Sequence, residues 1–415
     1  MSKVAAVTGP THRQSESFFS GNVSAIAFSS GVRSLGGFVG VYLPLYFVQI
    51  GGKPLTLGLL TSAASVFQFL TLSMGGFIAD YYGRKKIMVL AALYSAFLTA
   101  MYALALDWRL FGLLTVFAAA GTIANPATHA TVADSISPEK RTTGIAALQV
   151  VSALPSVVSP LIGGWLIQRY DLEQGFRIAC VCAAVFALVS SIPLLVLLKE
   201  TLKSKVSANP GFNLRESVLE SLKPSRLMLS ASLKFLLASY ALVVLANAAV
   251  AQYYILYAIS VVGLTGFDWG VVVSMQFLLA CVLKIPGGWL SDRFGKKKVM
   301  TLSLLATVPV ILMFTLSRTV VQLVASALLL VAAGIYYAPA HEALQADLAH
   351  KSMRGRITAA WDMSSAAATA LGTLVGGFAF QMLGPAVPFY IFSVAELLAA
   401  ILLVSRVKEP DKKEV

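Results

Sequence analysis

The chain has 415 residues, 57% of them hydrophobic and only 12% charged, with a mean hydropathy of +0.78. A soluble domain carries about 25% charged residues, so this chain lacks the charge to coat a water-facing surface and reads as an integral membrane protein. The net charge of +13 does not point to nucleic acid: the basic residues sit in short runs between apolar stretches, as charges facing anionic headgroups do, and are not gathered on one patch.

Residues 1–20 contain no apolar h-region, so no cleavable signal peptide is expected. A bilayer core about 30 Å thick takes roughly 20 apolar residues per helix. Twelve such runs follow, near 22–50, 57–79, 87–106, 110–134, 144–168, 176–198, 231–259, 268–291, 299–317, 320–347, 357–382 and 387–405. Merging the last two would leave eleven, but Gly384-Pro385-Ala386-Val387-Pro388 breaks that run. The one long polar stretch divides the chain into an N-terminal six-helix bundle with a short tail (1–198), a linker (199–230), a C-terminal six-helix bundle (231–405) and a tail (406–415). With the N-terminus inside, 24 of the 32 Lys and Arg residues face inward, five face outward and three lie within spans. That bias predicts a multi-pass plasma-membrane protein with both termini and the linker in the cytoplasm. Cys180, Cys182 and Cys281 all lie inside apolar runs and read as buried small hydrophobes, not as disulfides or metal ligands.

The two halves repeat at a nearly constant offset. Gly76-Phe-Ile-Ala-Asp80-Tyr-Tyr-Gly83-Arg84-Lys85-Lys86 recurs as Gly288-Trp-Leu-Ser-Asp292-Arg293-Phe-Gly295-Lys296-Lys297-Lys298, 212 residues later. Pro126, Asp134, Arg141 and Gly163-Gly164 recur as Pro339, Asp347, Arg354 and Gly376-Gly377, and Tyr42 and Tyr46 recur as Tyr253 and Tyr257. An even number of helices per half keeps the copies in one orientation. The fold class is therefore an all-α membrane protein, two six-helix bundles related by a pseudo-two-fold axis along the membrane normal.

The repeated loop between spans two and three, and again between eight and nine, resembles the signature loop of the major facilitator superfamily. The resemblance covers the whole chain; Tyr81 departs from it, standing where that family usually has a basic residue, while the second copy has Arg293. The glycines of the loop permit close helix contact, and Asp80, Asp292, Asp134 and Asp347 end their helices beside basic clusters. The resemblance implies that Gly76, Asp80, Gly83, Arg84, Asp134, Gly288, Asp292, Arg293, Gly295, Lys296 and Asp347 form a cytoplasmic latch holding the outward-open state; the plainer reading is that the charges only set topology. Ser159-Pro160-Leu-Ile-Gly163-Gly164 in span five is similar to a motif of the drug:proton antiporters of that superfamily, with Ser159 in place of the first glycine. The arginine usual in span four of that group is absent, and a proline kink with glycine packing explains the same residues.

No Gly-x-x-x-x-Gly-Lys-Ser/Thr loop is present to bind a nucleotide, and His341-Glu342 lacks the second histidine of a zinc-protease motif. Neither enzymatic activity nor a cofactor is expected; a proton or other ion gradient would drive the protein. Charges inside spans are costly and by default mark function. Arg33 lies about 15 Å into span one, where it needs an acid, carbonyls, water or an anionic substrate. His129 and Glu342 are repeat equivalents on spans four and ten, and with Asp362 in span eleven they are the proton-coupling candidates. Lys284 shares a helix face with Gly288 and Asp292. Glu396 lies mid-span in helix twelve, which the resemblance puts at the bundle periphery, and reads as a structural hydrogen-bonding group or a protonated acid and not as a transport residue. The cavity candidates are Arg33, Tyr42, Tyr46, Asn125, Asn247, Gln252, Tyr253, Lys284, Tyr336 and Tyr337.

These residues lead to a proton-coupled secondary transporter working by rocker-switch alternating access and exporting small amphipathic or drug-like molecules. A gradient-driven importer of organic anions, held by Arg33 and Lys284, is the alternative, and a non-transporting scaffold a third. The partners expected are a small-molecule substrate, protons and membrane lipids, with no nucleic acid, and the chain is expected to act as a monomer. On the leading reading Arg33 holds a proton-carrying acid, Glu342 or Asp362.

Overall fold

The computed structural model describes residues 21–136, 141–202, 230–348 and 354–409, all helix and connecting turn with no strand among them. Most of the linker and both chain ends therefore lie outside the described residues. Twelve helices are long and apolar enough to span a membrane: α1 (Asn22–Gln49), α2 (Pro54–Tyr82), α3 (Arg84–Leu104), α4 (Trp108–Ser135), α5 (Ala147–Tyr170), α6 (Leu172–Val196), α7 (Ala231–Ala251), α8 (Gly266–Phe294), α9 (Lys296–Leu316), α10 (Val320–Leu348), α11 (Ala360–Leu383) and α12 (Val387–Arg406). They match the twelve apolar runs of the sequence. The run predicted over 231–259 is divided: α7 breaks at Gln252 and continues as Tyr253–Val262.

Helices α1 and α7 are repeat equivalents, as are α4 and α10, and each of the four breaks partway along its span. In α1 the break is Gly36-Gly37, whose N–H groups turn back to the carbonyls of Arg33 and Ser34. In α4 it is the tight turn Ala119–Ala124 ahead of Pro126, and in α10 the chain bends at Ile335-Tyr336. Irregular backbone at membrane depth is tolerated where protein or a cavity satisfies it, so the four breaks mark where the spans face the interior.

Each half is tied on the face where the described chain begins and ends, at Gly21 and Glu409, here the termini face. Lys199, just past α6, exchanges two backbone hydrogen bonds with the Asn22 side chain at the start of α1; Lys408, past α12, donates its N–H to Ser232 at the start of α7. In both halves a tyrosine fastens the far end: Tyr46 donates to the Ala105 carbonyl and Tyr257 to the Thr315 carbonyl.

Candidate functional site

The halves meet on the face opposite the termini through two matching tyrosine latches. Tyr42 on α1, only 1% exposed, donates to the Pro160 carbonyl of α5 at 3.0 Å and the Gly266 carbonyl of α8 at 2.9 Å, the second bond crossing between halves. Its repeat equivalent Tyr253 donates across to the Pro54 carbonyl of α2 at 3.2 Å. Glycines make room for both rings. A Cβ on Gly164 would stand 2.7 Å from the Tyr42 hydroxyl, and one on Gly377 2.8 Å from both the Tyr253 hydroxyl and the Pro54 oxygen. Gly58 and Gly270, a further pair of repeat equivalents, line the same contacts. The Gln381 side chain adds a bond, accepting from the Leu55 N–H at 3.0 Å. Every described hydrogen bond between the halves lies on this face.

On the termini face the signature loops bond within their own halves. Arg84 lies 2.5 Å from Asp134 and 3.4 Å from Asp80, and Lys296 pairs with Asp347. Gly83 and Gly295 take left-handed φ values of 103° and 90°, which side chains disfavour. The turn aims the first amides of α3 and α9 at two carboxylates the sequence reading did not single out. Glu200 accepts from the Lys85 N–H at 3.1 Å and Glu409 from the Lys296 N–H at 2.9 Å, an anion on each positive helix end. Both follow a lysine just past the last helix of their half, and that shared Lys-Glu was the available signal. The close helix contact expected at Gly76 belongs to its neighbour: a Cβ on Gly75 would strike the backbone of Ile123, whereas one on Gly76 would meet only Pro126, at 3.9 Å. Arg293 is exposed, with its guanidinium over the Phe294 ring. Gly288 and Asp292 sit in α8 with side chains outside the described residues.

Two adjoining cavities, of about 630 and 760 Å³, open in the C-terminal half. The second gathers Glu342, Asp362, Asn247 and Tyr337, four residues picked from sequence. It also holds His341, 3% exposed, which stacks with Tyr240 at 4.5 Å and accepts a hydrogen bond from the Trp361 indole at 3.1 Å. The indole is only a donor, so the accepting Nε2 carries a lone pair and His341 is neutral in this arrangement. The first cavity shares Asn247 and Tyr337, adds Gln252, and is closed on one side by Gly40, Val41 and Pro44 of α1.

Glu396 has the hydrogen-bonding neighbours expected of it, and they stand on a cavity wall. It is 2% exposed and lines the first cavity, with Asn247 Nδ2 and Thr307 Oγ1 each 3.5 Å from its carboxylate. The Tyr337 hydroxyl, on the wall of both cavities, is buried beside Ser239 without a hydrogen bond of ordinary geometry.

Several predicted positions lie elsewhere. Tyr42 and Tyr253 lie at the contact between the halves and line none of the three cavities. Tyr46 is core, its ring stacked on Phe176 at 4.2 Å, and Tyr336 packs half-buried against the C-terminal core. Arg33 and Asn125 share a small cavity of about 110 Å³ in the N-terminal half with Ser29, Ser30, Ser95 and Thr128. No carboxylate lines that cavity, so the expected pairing of Arg33 with Glu342 or Asp362 is not formed: the two acids belong to the other half. His129 and Lys284 are exposed, outside these three cavities and without a described ion pair. Arg33 and Lys284 therefore share none of them.

Two like-built six-helix halves, with inward-facing broken helices and cavities behind a gate, define a membrane transporter fold, not an enzyme. The chain belongs to the Major Facilitator Superfamily, whose family model matches residues 23–275 and 262–415. It is 26% identical over 326 residues to the multidrug resistance protein MdtG of Escherichia coli O9:H4 (strain HS), spanning 76% of this chain and 77% of that one. Over 146 residues, 34% of each chain, it is 30% identical to a Na(+), Li(+), K(+)/H(+) antiporter of Planococcus maritimus. The fold matches the crystal structure of the nucleoside transporter NupG with a TM-score of 0.74 at 13% identity, over 93% of this chain and 99% of that one.

Proposed function

We propose that the chain is a proton-coupled secondary transporter that works by alternating access and exports small amphipathic organic molecules from the cytoplasm, where its termini and linker lie. The observation that carries this reading is the pair of adjoining cavities. Their combined size suits a drug-sized molecule, their walls are aromatic and apolar, and they hold three carboxyl groups, Glu342, Asp362 and Glu396, none in a described ion pair. Carboxyl groups inside membrane spans are rare and by default mark proton or substrate pathways. The likeness to a multidrug resistance protein supports export and the shorter likeness to a cation/proton antiporter supports coupling. The protein needs no cofactor beyond the gradient and acts as a monomer. Its signature-loop acids latch the alternate state, in which the termini face closes.

The test is proteoliposomes with an imposed pH gradient and a panel of lipophilic cations, weak bases and carboxylates. Substrate-induced proton movement, abolished when Asp362 and Glu396 are both changed to the amide, supports the proposal. Transport that ignores the gradient overturns it. A second reading, import of an organic anion, is favoured by one observation: Arg33 has no acid beside it in its cavity. Counterflow of a labelled carboxylate, lost in Arg33→Gln and weakened in Arg33→Lys, would establish that reading.

A further inference from the structure

Glu396 stands out once the cavities are mapped. Helix α12 packs against α7 and α9, and the groups around the carboxylate come from three helices: Asn247 and Tyr254 on α7, Thr307 on α9 and Tyr337 on α10. All four are neutral, and no lysine, arginine or histidine makes an ion pair with Glu396 among the described residues. Burying a carboxylate costs several kcal/mol unless a charge answers it. Here the buried acid is not sealed in the core but looks into about 630 Å³ of space whose walls include Trp269, Tyr254, Phe314 and Phe392. An acidic group facing a chamber lined by aromatic rings is complementary to one class of ligand above others: a cation with an apolar body, whose charge the carboxylate answers and whose alkyl groups lie against ring faces. A carboxylate or phosphate ligand would be repelled. A neutral ligand would leave the acid unanswered.

We propose that this cavity is a binding site for an organic ammonium ion and that Glu396 is its counter-ion. All the lining residues of the site come from the C-terminal half except Gly40, Val41 and Pro44 of α1. Asn247, shared by both cavities, joins the Glu396 chamber to the one holding Asp362 and Glu342, which gives the ligand and the proton a common route. The binding claim is independent of the export reading. Only the consequence rests on that reading: proton and ammonium would be alternative occupants of one carboxylate.

The test is calorimetric binding to the purified full-length protein in detergent, with no gradient. The probes are benzyltrimethylammonium, its uncharged carbon isostere neopentylbenzene, and benzoate. The expected result is binding of the ammonium at least tenfold tighter than of the isostere, and none of benzoate. Glu396→Gln should raise the Kd for the ammonium at least tenfold, while Glu396→Asp, which keeps the charge on a shorter stem, restores part of the loss. Glu173→Gln, an exposed acid in the first turn of α6 in the other half, should change that Kd less than twofold. Melting curves of the unliganded variants, read from intrinsic fluorescence, confirm that each is folded. Equal binding of cation and isostere, an unchanged Kd in Glu396→Gln, an equal loss in Glu173→Gln, or no binding by the parent each overturns the site. Vesicles that move no substrate while this binding pattern holds would overturn the export reading and leave the site standing.

Discussion

The two faces of the molecule hold themselves together by different physics. Opposite the termini, the halves are joined by neutral hydrogen bonds from Tyr42 and Tyr253 to backbone carbonyls, packed among Gly58, Gly164, Gly270 and Gly377. On the termini face, the described bonds of the signature loops are ionic and stay inside each half: Arg84 with Asp134 and Asp80, Lys296 with Asp347. A tyrosine–carbonyl bond contributes about 1 kcal/mol, is insensitive to salt and requires close backbone approach. A partly exposed ion pair contributes roughly 0.2–1 kcal/mol and is screened within about 8 Å at physiological salt. The latched face therefore depends on shape, and the other on charge. A switch whose two ends differ in this way can be biased at one end without disturbing the other.

The largest effect is expected from filling the glycine cradles. In Gly377→Val the new Cβ would stand 2.8 Å from the Pro54 oxygen and the Tyr253 hydroxyl, so the face opposite the termini cannot close as it does here. Overpacking of this kind costs about 1–3 kcal/mol, enough to move the equilibrium roughly five- to 150-fold. Faster maleimide labelling of a Leu55→Cys reporter, together with loss of transport, would register it.

Removing the latch hydroxyls is gentler. Tyr42→Phe and Tyr253→Phe should each shift the equilibrium about fivefold away from the state described, at about 1 kcal/mol per bond. The sites are separate, so the double variant should show the product, about 25-fold. A double variant no different from either single one would mean that the latches are not independent.

The smallest effect belongs to the charged face. Asp80→Asn should leave helix content and membrane insertion intact and alter the ratio of states by less than fivefold. Raising the salt from about 0.1 to 1 M should erase that change, because the Debye length falls from about 10 to 3 Å. Crosslinking across the termini face at the two salt concentrations measures it, and the tyrosine variants should not respond to salt.

Much of this architecture was legible because it repeats. Twelve apolar runs, the duplicated Gly-x-x-x-Asp-x-x-Gly loop and the Tyr42/Tyr253 equivalence are all one-dimensional patterns, and the structure keeps each of them. Contacts between helices were not legible. Nothing in the sequence says that Arg33 and Glu342, both on interior helices, face different cavities, or that Gly75 and not Gly76 meets Ile123. Glu396 was set aside because a twelfth helix belongs at the periphery; one face of such a helix still turns inward, and a single acid in an apolar run carries no phase to say which face it occupies. Tyr42 and Tyr253 were singled out as cavity residues. The pairing of Gly58 with Gly270, one at the start of α2 and the other at the start of α8, was the unread sign that they close a gate.

Pulsed electron resonance between spin labels tests most directly whether the tyrosine latches hold one end of a two-state switch. Labels at Lys53→Cys and Met382→Cys report the latched face, and labels at Lys86→Cys and Lys298→Cys the termini face, both in lipid vesicles. In the Tyr42→Phe/Tyr253→Phe background the first distance should lengthen as the second shortens, in a common proportion of molecules. Two unchanged distance distributions, or two that lengthen together, would contradict the claim.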